Sequence, residues 1–158
     1  MSMPPHAVAG HLVIIVAPLT SILALVYALR PSTRRALRWP LVVVGAVTAA
    51  LVVWAGEVGG DLLDELTRSA QSAGQELPAA VQHHAKGSDA LAVAIFVLGV
   101  VVLSVVWGLL RPGRPSTTGA RVAGAVLVVA AVTVLVTTGT VLAQAMEAVW
   151  ATHGLWPA

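Results

Sequence analysis

An all-α bundle of four transmembrane helices is the fold this sequence predicts, and three observations predict it. Of 158 residues, 58% are hydrophobic and only 10% charged, which excludes disorder and ordinary soluble globules. The apolar residues fall into four runs, giving spans at about 7–29, 39–58, 89–110 and 121–144. A helix rising about 1.5 Å per residue needs roughly 20 residues to cross a hydrocarbon core of about 30 Å, and each run supplies that length. The charges are sharply partitioned: Arg30, Arg34, Arg35, Arg38, Arg111, Arg114 and Arg121 occupy two short loops, whereas every acid and every histidine falls on the other side. The positive-inside rule places the arginine loops in the cytoplasm, so both termini and the central loop 59–88 face outward. Residues 1–158 then form one integral membrane domain.

The elements follow in order. Pro4 and Pro5 suit the start of the first helix, where a missing N–H costs little. No charged segment precedes that run and it is long for a signal peptide, so it reads as a retained helix. Pro18 inside it predicts a kink held by packing. Trp39-Pro40 reads as the start of the second span, and Glu57-Val58-Gly59-Gly60 as its exit. Asp61–Ser69 carries Leu62, Leu63 and Leu66 among acids, the spacing of an amphipathic helix over the bundle mouth. Gln71–Gln75 reads as a turn, Pro78 opens the lead into the third span, and the stretch from Arg111 to Ser116 is a second turn. Trp39 and Trp107 mark the inner interface; Trp54, Trp150 and Trp156 mark the outer one.

Composition removes several functions. With no cysteine, disulfides, thiolate metal sites and cysteine-ligated clusters are excluded for this chain. The basic residues are not spread over a soluble face, so nucleic acid is not an expected partner. The midplane holds little beyond Thr20, Ser21, Thr48, Ser104 and Thr133, which can bond back to their own helices, so the polar midplane of a transporter is missing.

Depth singles out a site. His11 lies 19 positions before Arg30 and Glu57 lies 19 after Arg38, which puts both roughly 28 Å above the inner arginines. Asp89 and Gln144 reach a similar level from the third and fourth helices, with His6, His84 and Glu147 above them. Ionisable groups at membrane depth are costly and by default mark function. Imidazole with carboxylate suits zinc, copper, iron or manganese, and two histidines from facing helices could instead ligate a haem. His11 and His84 are the expected first ligands of such a cofactor, with Glu57 a ligand or orienter and Asp89 an orienter. The full candidate metal set is His6, His11, Glu57, His84, Asp89 and Glu147. His6 and His11 are five apart, about 140° around an ideal helix, so they converge only if His6 sits in a non-helical lead. His83 and His84 are adjacent, so at most one points inward. The plainer alternative for all these histidines is interfacial hydrogen bonding, and His153 fits that best. Ser88, His84 and Asp89 are neighbours on one helix and do not suggest a hydrolytic triad.

At these positions the chain resembles a bacterial family of small four-helix membrane proteins without an assigned biochemistry. Its members open with His-Pro-x-x-Val-His, carry Ser-Gly-Glu after helix two and enter helix three with Glu-His-x-x-x-x-Asp. The matching pieces are His6 with His11, Ala55-Gly56-Glu57, His84-Ala85 with Asp89, and Glu147-Ala148-Val149-Trp150. Ala7 replaces the usual Pro, and Ala143 stands where a fourth-helix His would fall. Fusion of some relatives to Rieske-type domains implies an electron-transfer setting. The function expected is therefore metal or haem binding in a redox role at the outer face. The alternative is a non-catalytic accessory subunit of a larger membrane complex. The lipid bilayer, a redox or complex partner and a second copy of the chain are the expected partners.

Overall fold

The computed structural model describes residues 4–150; His153 and Trp156 lie outside that range. Among the described residues four α-helices are present: α1 (Pro5–Leu29), α2 (Arg34–Ser72), α3 (Ala79–Trp107) and α4 (Thr118–Trp150). All four are long and apolar enough to cross a membrane. Each packs against its neighbours in sequence, and α4 closes the ring against α1, so the chain runs up and down around a square bundle. The α2–α3 seam is the loosest of the four.

The core is made of small and branched side chains. Ala9, Val13, Ala17, Ser21, Ala24 and Tyr27 form one buried stripe on α1, at the three- and four-residue spacing that keeps side chains on one helical face. Leu91, Ile95, Leu98 and Val102 form the matching stripe on α3, and Leu127, Ala131, Val134 and Val141 that on α4. The opposite faces carry exposed apolar residues such as Ile15, Val43, Val93, Val100 and Val129, as expected of helices solvated by lipid. Only 17% of the most apolar window of α2 is buried, against 33–39% in the other helices. Helix α2 is therefore the one that lipid covers most.

Two boundaries differ from the sequence expectation. Helix α2 begins at Arg34, before Trp39-Pro40, and runs on through Gly59-Gly60 to Ser72. At about 1.5 Å per residue its 39 residues extend about 58 Å, well beyond one hydrocarbon thickness. Pro40 removes the N–H that would bond the Ala36 carbonyl and crowds that carbonyl, a defect that membrane helices tolerate when neighbouring groups satisfy the freed oxygen. Two glycines cost about 1 kcal/mol each, too little to end a helix whose next turns supply Leu62, Leu63, Glu65 and Leu66. The amphipathic segment after the span is thus helical, as its spacing predicts, but continuous with the span.

The real end comes at Gly74, whose φ of +66° permits the wrap in which Gln75 N–H reaches the Ala70 carbonyl and Gly74 N–H that of Gln71. Most of the expected loop 59–88 is therefore a projecting helical hairpin, open only at 73–78. Helix α1 passes without interruption through Pro18. The second turn forms where its sequence predicts, with Arg114 N–H bonding the Arg111 carbonyl across Pro112-Gly113.

Candidate functional site

The bundle has an arginine end and a histidine end, and the site lies at the second. His6 sits in the first turn of α1 and packs on α2 at Gly59, where an added Cβ would lie 3.0 Å from two ring atoms of His6. Gly59 is thus the gap that admits the ring. From α3, His84 faces it, with ring centroids 6.2 Å apart and planes at 80°. The His84 ring also reaches the Val141 backbone of α4. One turn beyond Val141, Gln144 lays its side-chain amide against Gly87, in space that a Cβ would occupy.

Three polar atoms gathered here have no hydrogen-bond partner: Nδ1 of His6, Nδ1 of His84 and Oε1 of Gln144. All three atoms are shielded from solvent. Buried polar atoms are nearly always paired, and each unpaired one costs about 1–3 kcal/mol. The two imidazoles head a cavity of about 250 Å³ whose walls include Val13, Val52, Leu63 and Leu91. Leu62, Leu63 and Leu66, from the extension of α2, line it as well, which is the work the amphipathic segment does.

The sequence-predicted residues divide. His6 and His84 come together across three helices. His11 does not join them: it is exposed, and its ring N–H (Nδ1) donates back to the Ala7 carbonyl at 2.5 Å. The reason is rotational. Helix α1 already includes His6, so the five-residue spacing turns the two rings about 140° apart, and the bundle takes His6. Glu57, Glu147 and His83 are exposed, so the inward member of the His83–His84 pair is His84. Asp89 borders the cavity but is itself exposed. The predicted pairing of His11 with His84 is replaced by His6 with His84. Among the described residues, no three histidines or acids gather closely enough to hold a metal ion between them. The donors brought together are the two imidazoles, while the Gln144 amide lies against Gly87. Ser88 donates to the His84 carbonyl at 3.0 Å and is tied to its own helix, as a hydrolytic serine would not be.

Sequence reasoning missed Gly59 and Gly87 as the seats of His6 and Gln144. Glycines at the depth of a polar layer, one helix away from its rings, were the available signal. Comparison with known protein families, curated proteins and solved structures gives no match for this chain.

Proposed function

We propose that this is a multi-pass protein of a bacterial cytoplasmic membrane, both ends outward, that holds a transition-metal ion between His6 and His84 at its outer face. The orientation rests on the seven arginines gathered at the opposite end. The observation that carries the metal is the pair of facing imidazoles whose shielded Nδ1 atoms have no partner. An ion bound at about 2.0–2.1 Å from each nitrogen keeps two ring centres within roughly 6.5 Å of one another, and 6.2 Å satisfies that limit.

Neutral imidazole donors leave the ion's charge uncompensated, so a monovalent ion costs least in this apolar surrounding. Copper in its reduced state fits best, and a redox or electron-transfer role follows from it. A haem is not part of the proposal, because about 250 Å³ is below the roughly 300–1,000 Å³ of sites for drug-sized molecules. Kinship with the four-helix family belongs to the same proposal and is supported by the motif residues His6, Glu57, His84 and Asp89.

The test is metal analysis of detergent-purified protein never exposed to chelator or to a nickel column, followed by copper(I) titration. Near-stoichiometric metal, lost in His6→Ala and His84→Ala but kept in His11→Ala, is the expected result. No metal and no copper(I) binding would sink the proposal. A second reading, an accessory subunit of a membrane complex, is favoured by Leu62 and Leu66, exposed among acids on the projecting hairpin. A stoichiometric partner that is released by Leu62→Asp would support it.

A further inference from the structure

The loosest seam of the bundle carries a second cavity, far from the histidines. It is a groove of about 230 Å³ between α2 and α3, walled by Val42, Gly45 and Ala49 on one side and Phe96, Gly99 and Leu103 on the other. Among the described residues, Thr20 and Thr48 are the only polar side chains lining it, and their hydroxyls are engaged with each other at 2.7 Å. An occupant of this groove meets hydrocarbon almost everywhere.

Its lower end is different. Arg38 stands one turn below Val42 on the same stripe of α2, and Trp107 one turn below Leu103 on the same stripe of α3. The Arg38 guanidinium lies over the Trp107 ring, 4.3 Å from its centre, and Trp39 meets that ring edge-on at 5.6 Å. Arg38 Nε is shielded from solvent and has no hydrogen-bond partner. Every acid of the chain lies at positions 57–89 or at 147, toward the other end of the bundle, so the chain offers this guanidinium no carboxylate.

We propose that the α2–α3 groove binds one anionic phospholipid, its phosphate on Arg38 and an acyl chain along Val42, Gly45, Gly99 and Leu103. A planar guanidinium presents N–H groups in a fork that matches phosphate, and a basic pocket between membrane helices is a recurring form of anionic-lipid site. Tryptophans at the same level fit a headgroup region. A second copy of the chain matches the groove less well. Packed in parallel it sets arginines against arginines, whereas a phospholipid brings the missing negative charge. The site is independent of the histidine cluster and stands or falls separately from it.

The experiment is native mass spectrometry of delipidated protein in mild detergent, titrated with phosphatidylglycerol or phosphatidylcholine of equal chain length. One phosphatidylglycerol should bind in preference to phosphatidylcholine. Arg38→Gln should remove that preference, at least about tenfold, while Arg121→Gln, the same loss of charge away from the groove, leaves it unchanged. Gly99→Leu should weaken both lipids alike; an added Cβ there meets open space, so the substitution fills the groove without striking the protein. Inorganic phosphate alone should not compete, since most of the site is apolar. Equal losses in Arg38→Gln and Arg121→Gln, or Gly99→Leu binding as the parent does, would overturn the proposal. So would a dimer that Gly99→Leu dissociates. Should Arg38→Gln not fold, judged by helical circular dichroism and gel filtration, Arg38→Lys replaces it. Reduced headgroup preference in Arg38→Lys supports the site, and unchanged preference refutes it.

Discussion

The two ends of the bundle treat their polar groups in opposite ways. At the arginine end, polar side chains are spent on closing the structure. Tyr27 is fully buried and donates its hydroxyl to the Leu110 carbonyl at 3.0 Å, tying α1 to the turn that follows α3. Arg34 reaches back to the last carbonyls of α1, with Nε on Tyr27 at 3.1 Å and Nη2 on Ala28 at 3.2 Å. Those carbonyls have no partner within the helix and sit at its negative pole, so a cation there both caps and neutralises. Arg114 makes the same kind of bond to the Gly108 carbonyl at 3.0 Å.

At the histidine end, His6, His84 and Gln144 are half-buried with ring or amide atoms left unpaired. The two imidazoles among them are the groups to which the metal proposal assigns a ligand. Among the described residues, Arg38 is the one at the arginine end with an unpaired shielded atom, and it is also the one to which the lipid proposal assigns a ligand.

The comparison breaks most sharply on stability. Tyr27→Ala should cost about 3–5 kcal/mol, as for other large core side chains, and Tyr27→Phe about 1–3 kcal/mol because it strands the Leu110 carbonyl. Unfolding in mixed detergent with rising dodecyl sulfate, followed by circular dichroism, measures both. Arg34→Met should cost about 1 kcal/mol by the same assay, reduced by the partial exposure of the guanidinium.

His84→Leu should be neutral or stabilising, because it removes an unpaired polar atom and fills the space with hydrocarbon. A loss comparable to that of Tyr27→Phe would mean that the histidines are structural, and the contrast between the ends would fail. Gly59→Ala sharpens the point at smaller cost: the 3.0 Å approach forces His6 to shift, so copper(I) affinity should fall while stability changes by less than about 1 kcal/mol. Thr48→Val, midway between the ends, sets the floor. Its hydroxyl and that of Thr20 make three contacts with two protons between them, one across to each other and one back to Val16 or Val44. Removing one interhelical bond of this kind should cost about 0.6 kcal/mol.

The sequence made the fold legible because each cue was local. Four apolar runs count four helices, Pro112-Gly113 makes a turn, and Leu62, Leu63 and Leu66 announce a helix. It misplaced the ends of α2 because Trp39-Pro40 and Gly59-Gly60 are weak stops that neighbouring helix formers override. For the site, the layer was legible but its membership was not. By depth His11 belongs to the layer and His6 stands more than a turn above it, yet only His6 faces His84. The glycine that admits its ring is on a different helix, so no spacing along α1 could reveal it.

By itself, then, the sequence determined the number of helices, the segregation of arginines from histidines, and the height of each polar group along the bundle. Those follow from a fixed rise per residue and from the water–hydrocarbon boundary, both independent of what else the chain does. The tertiary structure alone decided which groups at one height meet: His6 with His84, Gln144 with Gly87, Arg38 with Trp107. Each helix must turn about its own axis to bury its stripe of small residues, and that rotation is set by the neighbouring helices.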